Sequence, residues 1–239
     1  MVKLIQKRLP QEVSSQVLMQ IADGEYPPGM SLPSENKMAE EFGVSRIVIR
    51  EAAQLLRNKG VVEIQQGRGT FVRPLHAWNQ TDPQVLLALL RAGRLGSLAQ
   101  DLVEIRKMLE VEAAGLAAAR ANEEDIESLR TSLDEMQKTV DQTTAYVRVE
   151  HQFHIQIWQA ARNTLLEYLL NSFSEVFRKV KEQVYDNNWE DPNRHHRALL
   201  AAIKRHDSDA ARTAMEADIS EFQDEIRQAL ERGLRKQRN

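Results

Sequence analysis

The sequence predicts a mainly α-helical protein in two parts: three short helices closed by a two-stranded hairpin, then a bundle of six to seven longer helices. Three observations carry that expectation. Within the first 75 of 239 residues, helical spacing of apolar residues gives way to two short β-rich runs around a GRG tip. A stretch with two prolines and few periodic apolar positions, RPLHAWNQTDPQ, then interrupts the pattern. From Leu98 onward, amphipathic segments follow one another to the C-terminus. The expected parts are residues 1–75, a linker with a short helix at 76–97, and a helical bundle at 98–234.

Each element has a local cause. In QEVSSQVLMQIAD, Val13, Val17, Leu18 and Ile21 form a helical stripe, which GEYPPG ends. LPSENKMAEEFG places a capping Ser34 before a stripe of Met38, Ala39 and Phe42, and Gly43 stops it. Gly43 and Val44 make a tight turn, Ser45 supplies an N-cap hydroxyl, and a third helix runs from about Arg46 to Asn58. Helix, glycine turn, helix is the helix-turn-helix pattern. VVEIQQGRGTFV reads as two strands, Val61 to Gln65 and Thr70 to Val72, joined by a glycine-containing tip. Together these make a winged helix-turn-helix, in which the second helix of the pair fits a DNA major groove and the wing reaches the neighbouring backbone or minor groove. The apolar PQVLLALLRAG is expected to pack between the two parts. Breaks at Asn122, Gln142, Asn163, Asp186 to Pro192 and Asp207 divide the remainder into six helices.

Composition bounds the function classes. The chain has no cysteine, which fits a reducing cytoplasm, and no apolar run long enough to cross a membrane or serve as a secretory signal. A cytoplasmic protein without membrane contact is expected. The net charge of −3 does not suggest a generic nucleic-acid binder, but it is uneven: residues 1–75 hold ten Lys or Arg against eight Asp or Glu, the remainder 22 against 27. Position therefore matters more than total. Arg46 and Arg50, four apart, share one face in the first turns of the third helix, opposite Val48, Ile49 and Ala52. Alone, the pair reads as solvated surface. Within a helix-turn-helix followed by a wing carrying Arg68, it reads as a cationic probe for base edges.

YPPGMSLPSENKMAEEFGVSRIVIREAAQLLRNKGVVEIQQGRGTFV resembles the N-terminal domain of the GntR superfamily of bacterial transcriptional regulators, with PG..LPSE, VSR..(V/I)REA and GRGTFV landmarks in order. The resemblance implies DNA contacts at Ser45, Arg46, Ile47 and Arg50, with the wing tip at Gln66 and Gly67. Asn36 stands where that family usually has a DNA-touching arginine, which leaves the base preference open, since Asn bonds a phosphate or an adenine edge. The segments EIRKMLEVEAAGLAAARANEEDIESL, EHQFHIQIWQAARN and HHRALLAAIKRHDSDAARTAMEADI are similar to the FCD-type effector domain of the FadR-like branch.

Many members of that branch hold a divalent metal, and the resemblance places the ligands at Glu150, His154, His196 and Asp218. Two of these depart from the family pattern, Glu150 for Asp and Asp218 for the usual His. Glu150 and His154 at i, i+4 project from one helix face, as two ligands of one ion must. His154 also fits a core role among Phe153, Ile155 and Ile157, while His151, His195 and His206 read as surface. Two carboxylates with two imidazoles suit Zn²⁺, Mn²⁺, Fe²⁺ or Ni²⁺ alike. Arg106 matches the position from which relatives pair an arginine with an organic acid, and it stands equally well as a surface i, i+4 partner of Glu110. Tyr185 and Trp189 are further effector-contact candidates by the same analogy.

These readings predict a ligand-responsive regulator, a repressor, that binds a palindromic DNA operator as a homodimer and responds to a small organic acid. WNQTDPQVL is similar to regulators of sugar-acid catabolism, which implies an aldonate or uronate. An alternative is a metal-dependent hydrolytic enzyme in which Glu150, His154, His196 and Asp218 activate water. A third reading is a structural DNA-binding factor with a ligandless bundle.

Overall fold

The stripe of Val13, Val17, Leu18 and Ile21 is buried on α1 (Leu9–Asp23), as its spacing requires. The computed structural model describes residues 9–94, 98–185 and 191–236, so Trp189 lies outside the described residues. The chain divides into two compact units, Met1–Gly96 and Ser97–Asn239.

In the first unit, α2 (Glu35–Phe42) is capped by Ser34, whose hydroxyl accepts from Lys37 N, and ends at Gly43 in the left-handed conformation, φ 64°. α3 (Arg46–Asn58) starts at Ser45, whose hydroxyl accepts from Val48 N at 3.4 Å, and buries Ile49, Ala52 and Leu56. The wing consists of antiparallel β1 (Val62–Gln65) and β2 (Gly69–Val72), with Val62 opposite Val72 and Gln65 opposite Gly69. A bridge between Ser31 and Phe71, with Leu32 N donating to Thr70 O at 2.8 Å, lays the segment before α2 along β2. No periodicity marks that segment as extended, because its partner strand alone makes it so.

The presumed linker is largely ordered on the first unit. Trp78 is buried, with Nε1 donating to Arg73 O at 3.0 Å, and Asn79 N donates to Lys59 O at 2.8 Å. Gly60, at φ 71°, lies so close that a β-carbon there would stand 2.5 Å from the Ala77 carbonyl oxygen, so no side chain fits. α4 (Pro83–Arg91) is capped by Asp82, which also pairs with Lys59 at 2.5 Å. Its buried Val85, Leu86, Ala88 and Leu89 face inward within the first unit, where α4 packs on α1, and Arg94 Nη1 donates to Ala22 O at 2.9 Å.

The second unit contains the six expected helices: α5 (Leu98–Arg120), α6 (Glu123–Thr139), α7 (Thr143–Ala160), α8 (Thr164–Val184), α9 (Arg194–Lys204) and α10 (Ser208–Lys236). An Asn122–Asp125 capping box opens α6, and Asn163 caps α8. α5 packs along α10, α6 along α7, and α9 against α10. Ala113, Ala114, Ala117 and Ala118 let α5 approach its neighbours closely, around a core that includes Leu129, Phe153, Ile157, Trp158 and Ile219. Among the described residues, no helix is long and apolar enough to cross a membrane.

Candidate functional site

On the first unit, the groove bounded by α2, α3 and the wing is lined by Asn36, Arg46, Arg50, Gln66, Gly67 and Arg68. The α3 arginines point outward, as their spacing demands, and Gly67 turns the wing tip at φ 75°. Ser45 and Ile47, at the N-terminus of α3, do not line this groove but a separate depression with Gly43, Val44 and Glu51, and Ile47 is 67% exposed, unusual for an isoleucine without a partner. Sequence reasoning missed Glu35. Its carboxylate accepts from Arg50 Nε at 2.7 and 2.9 Å and lies 3.7 Å from Arg46 Nη2, so one residue of α2 gathers both arginines of α3. The PSE landmark contained that residue, but only the packing of α2 on α3 shows what it touches.

In the second unit, Glu150 and His154 of α7, His196 of α9 and Asp218 of α10 come together, each offering one ligand atom within 4.8 Å of the others. His154 Nε2 lies 3.5 Å from Glu150 Oε1 and 3.5 Å from Asp218 Oδ2, and His196 Nε2 lies 3.3 Å from Asp218 Oδ1. Neither Nε2 makes a hydrogen bond among the described residues, although both rings are buried. Ligands about 2.1 Å from one ion at tetrahedral angles stand about 3.4 Å apart, so these separations fit a shared divalent cation. Asp218, shorter than histidine, reaches both imidazoles.

Glu110 of α5 supports this cluster. Its Oε2 accepts from His154 Nδ1 at 2.5 Å, which turns the opposite ring nitrogen toward Glu150 and Asp218, the role carboxylates play behind metal-bound histidines. Its Oε1 accepts from Arg106 Nε at 2.6 Å. The surface version of the Arg106–Glu110 pair is therefore corrected: the pair exists, but the side chains are 4% and 0% exposed, with the Arg106 guanidinium against the rings of Phe177 and Phe222. Burial opposes ionisation of Glu110, but Arg106 and His154 outweigh it and hold the carboxyl at about 2. Burial likewise opposes protonation of His154, and the Glu110 and Glu150 carboxylates outweigh it, raising the imidazole to about 10. His196 shifts downward, chiefly through burial.

Tyr185 stacks on Tyr146 with ring centroids 4.8 Å apart, and its hydroxyl is buried without a hydrogen-bond partner among the described residues. The Tyr146 hydroxyl is within hydrogen-bond distance of Asn193 Oδ1, at 3.0 Å. His151, expected at the surface, is half-buried and edge-on to Trp158, and burial lowers its imidazole to about 4. Phe153, expected beside His154 as core, is buried edge-on to His196.

The FCD domain family matches residues 101–221, and the family of bacterial regulatory proteins of the gntR type matches residues 9–72. The chain belongs to the GntR family. The galactonate operon transcriptional repressor of Escherichia coli is 33% identical over 82% of this chain and 86% of its own, and the regulator LutR of Bacillus subtilis is 31% identical over 68% and 73%. Among solved structures, E. coli McbR/YncC has a TM-score of 0.53 at 19% identity, covering 95% of this chain and 99% of its own, a likeness of fold. This GntR-family chain is thus a DNA-binding transcriptional regulator, of a family of regulators rather than enzymes, and the hydrolytic alternative is not favoured. The same buried carboxylates and imidazoles that suggested water activation serve a binding domain instead.

Proposed function

We propose that residues 1–75 bind a palindromic operator as one half of a homodimer, and that residues 98–234 hold a small organic acid whose binding changes operator affinity. The observation that carries this reading is the convergence of Glu150, His154, His196 and Asp218 beside a buried arginine. A divalent ion held by these four residues, such as Zn²⁺, Mn²⁺ or Ni²⁺, would supply a Lewis-acidic point for a carboxylate oxygen. Arg106 uses Nε for Glu110, and its terminal nitrogens make no hydrogen bond among the described residues, leaving a fork for the same carboxylate. Tyr185 adds a hydroxyl for a neutral oxygen of the ligand.

The relative that represses a galactonate operon supports a sugar acid as effector and repression as the sign of control. An acid alters operator affinity only by binding two arrangements of the protein unequally, and a tenfold change needs about 1.4 kcal/mol of difference. On the first unit, Asn36, Ser45, Arg46, Ile47, Arg50, Gln66, Gly67 and Arg68 are the proposed DNA contacts. Such a protein acts where the bacterial chromosome lies, in the cytoplasm. Exposed Leu165, Tyr168 and Leu169 on α8 and Met108 on α5 offer apolar surface for the second copy.

Thermal melting of the purified protein against a panel of aldonates and uronates, with and without chelator, tests the reading. A stabilising acid whose effect disappears with chelator is expected. Melting indifferent to every acid and to added Zn²⁺, Mn²⁺ or Ni²⁺ would overturn it. Light scattering is expected to give the mass of a dimer at micromolar concentration.

A further inference from the structure

The outward face of α3 is not uniformly cationic. Arg46 and Arg50 reach toward Glu35 and the groove beside α2, whereas Ile47 borders the other flank, with Leu9, Val44 and Val48. At 67% exposure, Ile47 is the most open large apolar side chain of the first unit among the described residues. Its position on the helix is the reason. At 3.6 residues per turn, the step from Ile47 to Leu56 makes about two and a half turns, so the two side chains point in opposite directions. Leu56 is buried in the core. Ile47, more than either arginine, therefore points straight away from it.

An outward apolar residue on a groove-bound helix meets base edges, and the chemistry of the major groove leaves it one favourable partner. Adenine, guanine and cytosine present donors and acceptors there, whereas thymine adds its C5 methyl group. The isoleucine side chain has neither donor nor acceptor, so a polar edge pressed against it loses water with no bond in return. A methyl group gains by leaving water. The β-branched side chain also has little rotamer freedom to lose within a helix, which makes it a fixed surface. Arg50, three residues on, neighbours Ile47 along the same face. The rise between them, about 4.5 Å, is close to one base-pair step of about 3.4 Å.

We propose that Ile47 is a specificity residue that reads the C5 methyl group of one thymine in each operator half-site, about one step from the base pair faced by Arg50. This rests on the placement of α3 in the operator's major groove and names the base that its most outward side chain selects. The arginines supply charge and polar base contacts, and Ile47 disfavours any pair whose edge at that position is wholly polar.

The test begins with selection of bound sequences from a random duplex library by the full-length protein. Each thymine of one half-site in the enriched duplex is then replaced in turn by deoxyuridine, which lacks only the methyl group, and binding is read by fluorescence anisotropy. One replacement should weaken binding about three- to fivefold, the scale of one methyl group withdrawn from water. Ile47→Asn, at an exposed position, should melt like the wild type and bind the thymine and deoxyuridine duplexes alike at that position. A wild-type protein that distinguishes no thymine from deoxyuridine overturns the proposal. So does a distinction that persists in Ile47→Asn, which would assign the methyl contact to another side chain. If that variant binds too weakly to titrate, Ile47→Ala decides: its shorter side chain should narrow the ratio, and an unchanged ratio overturns the proposal. Enrichment of no sequence overturns the operator reading of α3 and the proposal with it, whereas loss of the thymine effect alone leaves that reading standing.

Discussion

Two arginine–glutamate pairs of nearly equal length stand in opposite surroundings in the two units. Arg50 and Glu35 meet at 2.7 Å with side chains 62% and 39% exposed, whereas Arg106 and Glu110 meet at 2.6 Å with side chains 4% and 0% exposed. Distance does not distinguish them. An exposed pair is weak because water solvates either partner when the contact opens, so Arg50 is free to exchange Glu35 for a DNA acceptor. In the buried pair, loss of one partner strands a charge in an apolar surrounding. The first pair suits a probe that must let go, the second a scaffold that must not.

Breaking the buried pair gives the largest expected effect. Arg106→Ala leaves Glu110 without its strongest cation and should destabilise the chain by about 3 to 5 kcal/mol in chemical denaturation. If it melts like the wild type, the pair is not the scaffold described. Arg50→Ala should leave melting nearly unchanged but weaken operator binding by about 1 to 3 kcal/mol, with the loss concentrated at one position of each half-site. Fluorescence anisotropy on a set of single-base operator variants checks this, and a loss equal for all sequences would mark a phosphate contact instead.

His154→Ala sharpens the contrast from the other side. It removes an imidazole that Glu110 orients, so elemental analysis should show about one divalent ion per wild-type chain and none in the variant, with operator binding in the absence of acid largely retained. Equal metal content in both proteins would contradict the assigned ligands. The smallest effect belongs to Glu35→Gln. It leaves Arg46 and Arg50 without their shared carboxylate at an exposed site and should raise DNA affinity at low salt by less than about tenfold, with unchanged melting. A large loss of stability would mean that the exposed pair carries more of the fold than its solvation allows.

Much of this was legible in the chain itself, for reasons tied to particular residues. Ser34, Gly43, Ser45 and Asn122 are local signals whose hydrogen bonds close within three or four residues, so helix boundaries follow from them directly. The i, i+4 spacing of Glu150 and His154 fixed their common face without any partner helix. Arg106 and Glu110 have the same spacing, yet periodicity could not tell a surface pair from a buried one, since that depends on Phe177 and Phe222 arriving from α8 and α10. The short extended segment at Ser31 and the docking of α4 on α1 escaped notice for the same reason.

By itself, then, the sequence determined what covalent neighbours can decide: the succession of helices, the hairpin with its glycine tip, the outward cationic face of α3, and the landmarks of the GntR family. Only the tertiary structure decided which charges lose their water. Residues more than a hundred positions apart, such as Arg106 and Phe222, or Glu110 and Asp218 on either side of the His154 ring, acquire their chemistry from one another when six helices close around them. Ionic interactions strengthen as solvent is excluded, and that exclusion is a property of packing that no local pattern encodes.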